Sequence, residues 1–338
     1  MSVSLFVDHL TGLERLRFEL VSVRRAAFAV GTWRNLHTQW FAFLLFCIHY
    51  SLPWLPASRD TLCLFAQFLS RSFRSVSSIR NYVSAIRTLH SLTGYPCPDL
   101  SSLECRLTFR GLARIKQHVP RRASPITPAI LLEIAATLDF SNDTHLVFWT
   151  LFLVAFFSLA RKSNLVANTA HPSPLNTNIL RSEVTVSPRQ LLLHFKWTKT
   201  LQFGGRELIV PLLAIKDSIL CPVRAYVSMC RRVPARPSSP AFVIRHGSGV
   251  RPVTYSQFQS FLKSQVSRLG LDPARFSSHS FRRGGANWAF RSRVPTELLK
   301  QQGDWRSDAY LVYLEFSLEQ RQSVAAAMIA QLRRSGFC

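Results

Sequence analysis

At 338 residues, 47% of them hydrophobic, the chain is long enough to close two domains around separate apolar cores, which excludes extended disorder. Its 42 lysines and arginines against 18 acidic residues leave a formal charge of +24, and 35 of the 42 are arginine, whose planar fork grips phosphate oxygens in pairs. A polyanionic partner follows, and the absence of Asp and Glu clusters with metal-ligand spacing counts against a metal-dependent nuclease.

Both halves share the excess: residues 1–122 carry 16 basic and 6 acidic side chains, residues 123–338 carry 26 and 12. The seven cysteines are odd in number, scattered and never spaced as C-x-x-C, which predicts a reducing, intracellular compartment without disulfides or structural zinc. No secretory signal pattern opens the chain. The longest apolar run, Leu146 to Ala160, is interrupted by Thr150 and Ser158 and is too short for a membrane span.

In chain order, Trp33, Leu36, Trp40, Leu44 and Cys47 recur at the spacing of one helix face and predict a helix from Gly31 to Tyr50. A second helix is expected from about Asp60 to Ser70. A third, from about Ser77 to Leu92, gathers Ile79, Tyr82, Val83, Ile86 and Leu89, with Arg80 and Arg87 off that face. Residues 20–118 therefore read as a small bundle with a basic exterior, either a DNA-facing surface or a solvated face. The stretch QHVPRRASPITP, Gln117 to Pro128, combines three prolines with Arg121 and Arg122 and reads as an interdomain linker.

Beyond it come a helix near Pro128 to Leu138 and a nearly all-apolar helix from Leu146 to Leu159. Gln190 to Trp197 and Arg206 to Leu212 flank Gly204 and Gly205 and predict a β-hairpin. Val233 to Pro240 reads as a surface loop, and the rest from Tyr255 reads as helical, ending in a stretch from Glu319 to Arg334 with Val324, Met328 and Leu332 on one stripe. That stripe could cover a neighbouring protomer or pack on its own domain. The fold class expected is mainly α with a small β-sheet (α+β), in two domains, residues 1–120 and 121–338.

Four segments carry candidate chemistry: FFSLARKSNLV (156–166), WTKT (197–200), HSFRRGG (279–285) and GDWRSDAYLVYL (303–314). His279 and Arg282 are three residues apart, so on a helix they share a face and can converge on one anion, with Ser278 placed to cap that helix and free amides at its start.

In content and order these segments resemble the boxes of the tyrosine recombinase (phage integrase) family, and within it most nearly those of eukaryotic DIRS-type or Crypton-type transposon recombinases. The likeness covers about residues 125–325; the N-terminal bundle resembles the family's helical, SAM-like core-binding domain more loosely. It implies a DNA strand-breaking and rejoining enzyme that needs no metal or other cofactor, with double-stranded DNA as partner, assembled as a dimer on each site and a tetramer in synapsis, and nuclear if the host is eukaryotic.

Such chemistry requires a nucleophile, cations around the non-bridging oxygens and an acid for the leaving 5′ oxygen. By resemblance Arg161 and Arg282 hold the phosphate with Trp305, whose indole N–H can donate or whose ring can simply pack. His279 acts as base, and Lys199, with Lys196 as its competitor, acts as acid. The nucleophile is Tyr313, with Tyr310 competing; the two lie eight and five positions after Trp305, a shorter offset than in better-known family members. DNA contacts are expected from Arg80, Arg87, Arg121, Arg122 and Arg283. A second departure is Asn164, where the family commonly has a glutamate bracing the first arginine. A type IB topoisomerase-like enzyme and a non-catalytic DNA-binding protein on the same scaffold remain as alternative readings.

Overall fold

The helical spacing of the first part of the chain and the mixed pattern of the second fold into two compact units, Met1–Arg121 and Arg122–Cys338. The computed structural model describes residues 11–169, 178–201, 206–314 and 318–335. Its helices and two small antiparallel sheets make the fold α+β.

The first unit holds α1 (Gly12–Ala26), α2 (Val30–His49), α3 (Arg59–Ser70), α4 (Val76–Thr93) and α5 (Leu103–Lys116). Phe43 and Phe46 of α2, Phe65 of α3, Ile79, Val83 and Ile86 of α4, and Phe109 and Leu112 of α5 bury one another. Ser58 and Ser102 cap α3 and α5 through their hydroxyls, and Gly94 ends α4 at a φ of 80°, a conformation glycine adopts without cost. The early helix α1 was not expected from the spacing. Thr11 and Glu14 close a capping box at its start, but none of its residues is buried, so tertiary burial leaves no strong signature there.

The second unit opens on α6 (Pro128–Thr137) and α7 (Asp143–Ser158). Twelve residues of α7 are buried on all its sides, which makes it the axis of the larger core. A short helix, α8 (Lys162–Leu165), leads to the sheet β1 (Val184–Val186), β2 (Gln190–Phe195) and β3 (Leu208–Leu213), with Leu193 opposite Val210. Leu191, Leu193 and Phe195 alternate inward against Val210 and Leu212. The predicted hairpin is therefore present, though Gly204 and Gly205 lie outside the described residues.

After α9 (Pro222–Arg232) comes a hairpin that the sequence reading missed, β4 (Val243–His246) and β5 (Gly249–Pro252), just beyond the proline-rich loop, whose first residue, Val233, is fully buried. Then follow α10 (Tyr255–Arg268), α11 (His279–Arg291), α12 (Thr296–Gln302), a 3-10 turn over Asp308–Tyr313 and α13 (Leu318–Arg334). Among the described residues no helix is long and apolar enough to cross a membrane.

Two expectations need correction. The linker is shorter than Gln117 to Pro128, because the Ser124 and Ile126 amides donate to the carbonyls of Arg275 and Ser280 and Ile126 is fully buried, which makes this stretch part of the second unit. Ser278 does not cap α11: its own backbone is helical and its buried hydroxyl has no partner among the described residues, while Ser277 Oγ accepts from the His279 amide at 3.3 Å.

Close approach of α11 to its surroundings depends on the paired glycines of HSFRRGG. A Cβ at Gly284 would overlap the Ile126 backbone, and one at Gly285 the Phe156 carbonyl of α7. Alanine normally stabilises a helix interior over glycine by about 1 kcal/mol. At Gly285 the sign should reverse, with Gly285→Ala costing about 1–3 kcal/mol of overpacking. Gly111→Ala in α5, where nothing lies within 4 Å, should stabilise; unfolding midpoints of the two variants check the contrast.

Candidate active site

The site is assembled where α7 stops. Leu159 takes a left-handed φ of 54°, ending α7 and presenting its carbonyl to Arg282 Nη1. Arg161 follows as the residue that opens α8. Its Nη1 meets Asp304 Oδ2 at 3.3 Å and its Nη2 the Asp304 carbonyl at 3.0 Å.

Arg282, only 2% exposed, lies on the inner side of α11. Its Nη2 donates to the Gly303 carbonyl at 2.6 Å, and its guanidinium carbon lies 3.9 Å from the Trp305 ring centre. Its Nε is buried without an acceptor among the described residues. Burial, then repulsion from Arg161, pushes the Arg282 pKa down to about 9, against the opposing pull of Tyr313 and Asp304. Two guanidinium groups held this close, one with an unmatched buried donor, favour an anion between them.

His279 begins the same helix but opens to solvent, so it and Arg282 sit at different depths. Partial burial of the imidazole ring, then repulsion from Arg282, Lys162 and Arg161, lowers its pKa below the ordinary histidine value. Trp305 is buried: besides Arg282 it packs with Leu159, Leu299 and Leu314, so its ring serves as a floor. The Tyr313 ring lies 5.6 Å from Trp305 and 5.7 Å from the Arg282 guanidinium carbon, and Asn287 Nδ2 fixes its backbone through the Tyr313 carbonyl at 2.7 Å. Tyr310, in contrast, is buried, its ring 6.2 Å from that of Trp305 and 5.9 Å from Lys300 Nζ.

Lys199 stands exposed in the turn after β2, and it makes no ion pair among the described residues. Lys196 is occupied by Glu183 at 3.3 Å. Of the arginines expected to touch DNA, Arg80, Arg87, Arg121 and Arg122 are exposed and Arg283 is half-buried. Arg80 also stacks over Phe109 at 4.7 Å, and Arg122 Nη1 donates to the Val312 carbonyl at 3.2 Å. No group of His, Cys, Asp or Glu among the described residues is arranged to hold a metal ion.

No family model matches the chain. The integrase/recombinase xerD homolog of Selenomonas ruminantium is 23% identical over 312 residues, 87% of this chain and 84% of the relative. Among solved structures, the Tn1549 transposon integrase in complex with transposon right end DNA superposes with a TM-score of 0.59 at 9% identity over 95% of each chain. A lambda integrase dimer bound to a COC′ core site gives 0.57 at 13% identity over 88% of this chain and 92% of the other.

The chain has the integrase/recombinase fold. With the sequence likeness to the xerD homolog, this supports a place in the tyrosine recombinase/integrase family. Within this recombinase fold, sequence reasoning missed Lys162, Asn287, Arg206 and Asp304. Lys162 Nζ lies 3.3 Å from the Tyr255 ring centre, beside His279. Asp304 is the most consequential omission; its only sequence signal is an acid beside Trp305 in a chain poor in acids.

Proposed function

We propose that the chain is a site-specific DNA recombinase that cleaves and rejoins duplex DNA through a 3′-phosphotyrosyl intermediate, consuming no metal or nucleotide. The observation that carries this is the pair of guanidinium groups, Arg161 and Arg282, anchored on Asp304 and Gly303, with the half-exposed Tyr313 ring 5.7 Å from the Arg282 guanidinium. Tyr313 is favoured over Tyr310 because Tyr310 is buried and faces Lys300.

In this scheme the Tyr313 phenolic oxygen bonds to phosphorus as the bond to the 5′ oxygen breaks. The phenolic proton passes to His279, Lys199 supplies the proton that the 5′ oxygen takes up, and Arg161 and Arg282 hold the non-bridging oxygens. The phosphodiester energy stays in the phosphotyrosine, so another strand's 5′ hydroxyl can reverse the step. The exposed Arg80 and Arg87, two turns apart on α4, with Arg121 and Arg122, suit backbone contacts to DNA. On α13 the described apolar side chains Leu318, Met328, Ile329 and Leu332 are exposed, which favours a neighbouring protomer over the helix's own unit in a dimer on each site and a tetramer in synapsis; Val324 lies outside the described side chains. The resemblance of the boxes to DIRS-type and Crypton-type enzymes favours a role in transposon integration.

The test is incubation with a nicked suicide duplex in EDTA, followed by denaturing gel and peptide mapping. A covalent adduct at Tyr313 is expected; no adduct overturns the reading, and an adduct at Tyr310 instead overturns the assignment of the nucleophile. Supercoil relaxation without exchange between two sites would mark the topoisomerase-like alternative. Because the His279 pKa is lowered, the imidazole stays neutral and able to accept a proton below the usual histidine value of about 6.5. Cleavage should therefore hold its rate as pH falls through 6.5 and decline only below it, a profile that His279→Gln should flatten.

A further inference from the structure

Asp304 is buried, 3% exposed, at a left-handed φ of 51° between Gly303 and Trp305. Its carboxylate joins three segments. Oδ1 accepts from Arg206 Nη2 at 2.6 Å; Oδ2 accepts from Arg161 Nη1 at 3.3 Å, from Thr198 Oγ1 at 2.6 Å and from Thr200 Oγ1. Its carbonyl takes a second bond from Arg161, at 3.0 Å.

Thr198 and Thr200 are the two residues that flank Lys199. Asn164 Nδ2 donates to the Trp197 carbonyl at 2.9 Å and Arg306 donates to the Thr200 carbonyl, so the turn is fastened on both sides of the lysine. Asn164 is thereby committed to the turn, and the acid paired with Arg161 is Asp304. A buried carboxylate needs such partners, and an exposed lysine on a turn would otherwise be free to miss its target.

Building on the recombinase reading above, we propose that Asp304 is a positioning residue: one buried carboxylate sets the Lys199 turn and the Arg161 guanidinium against the same phosphate. It touches neither DNA nor the reacting atoms. Two guanidinium groups share its single negative charge, so the pocket keeps its positive excess for the phosphate.

The proposal separates from a merely structural role by the leaving group. A 5′ oxygen departs poorly without a proton, whereas a 5′ bridging sulfur departs as a thiolate, whose conjugate acid has a pKa of about 8.5, and needs none. Misplacing Lys199 slows only the oxygen substrate; misplacing Arg161 or loosening the fold slows both. Full-length wild type, Asp304→Asn and Lys199→Ala are compared on suicide duplexes carrying either leaving atom, reading adduct formation. Asp304→Asn is expected to raise the sulfur-to-oxygen rate ratio at least about tenfold over wild type, in the direction of Lys199→Ala, with a further loss common to both substrates.

A ratio equal to that of wild type overturns the proposal while leaving the recombinase reading intact. A wild type that forms no adduct on either substrate overturns that reading and this one with it. Should Asp304→Asn fail to fold, Thr198→Val with Thr200→Val removes the hydroxyl bonds to the turn, leaves the carboxylate paired to both arginines, and is judged by the same ratio.

Discussion

Arg282→Ala is expected to lower covalent adduct formation by roughly 10²–10³-fold or more, the loss that follows removal of one preorganised donor to a developing charge. It should also weaken the fold. Arg282 joins three elements, donating to the Leu159 carbonyl where α7 ends and to the Gly303 carbonyl after α12, while lying 3.9 Å from the Trp305 ring. Two buried carbonyls left without donors cost about 1–3 kcal/mol each, before the lost cation–π contact. Against a typical domain stability of about 5–15 kcal/mol the variant should still fold, which keeps the two effects separable. Arg282→Lys retains the charge, but one ammonium cannot span both carbonyls, so it should fall between alanine and wild type in both respects. Single-turnover rates taken well below each unfolding midpoint decide the matter; an Arg282→Ala rate within about tenfold of wild type would take Arg282 out of the chemistry.

Arg161, Lys199, Trp305 and Tyr313 were singled out through the likeness of their segments to the recombinase boxes, and His279 and Arg282 through their helical spacing as well; Arg161, Arg282, Trp305 and Tyr313 lie near one another, while Lys199 stands exposed on its turn. Arg161 follows the most apolar helix of the chain, where a charged residue has few reasons to be. Their supports were not legible. Asp304 acts across sequence separations of 98 to 143 residues, on Thr198, Thr200, Arg206 and Arg161, and long-range pairing of this kind leaves no periodicity. The buried position of Trp305 and the burial of Tyr310 likewise depend on how α11 and α12 close over Leu159.

The fold divides along the same line. Helices α2, α3, α4, α6 and α7 carry apolar stripes or an all-apolar run that only burial explains, and alternation marked β2 and β3. Some of the missed pieces lack such a signal, whereas α5 and α9, passed over in the sequence, do carry helical stripes in Cys105, Phe109 and Leu112 and in Val223, Tyr226 and Met229. Helix α1 buries nothing, β4 and β5 are four residues each, and the β5 stretch GVRP reads as loop. Ser278 matched the composition of a cap but not the geometry, since its helical backbone turns the hydroxyl away from the amides it would have to satisfy.

Tyr313→Phe should abolish the adduct altogether, a loss of roughly 10⁴-fold or more, because removing a nucleophile leaves binding and electrostatics but no covalent step. Stability should change little. Tyr313 is half-exposed, its backbone is held by Asn287 through the main-chain carbonyl, and phenylalanine keeps the ring that packs 5.6 Å from Trp305. DNA affinity should therefore stay near that of wild type, measured at fixed salt because phosphate contacts dominate it. Tyr310→Phe is the matching control: it should leave adduct formation within about tenfold of wild type, since its ring is buried beside Lys300. If the two variants exchange behaviours, the 3-10 turn over Asp308–Tyr313 must rewind when DNA binds, bringing the buried tyrosine out and sending the exposed one in.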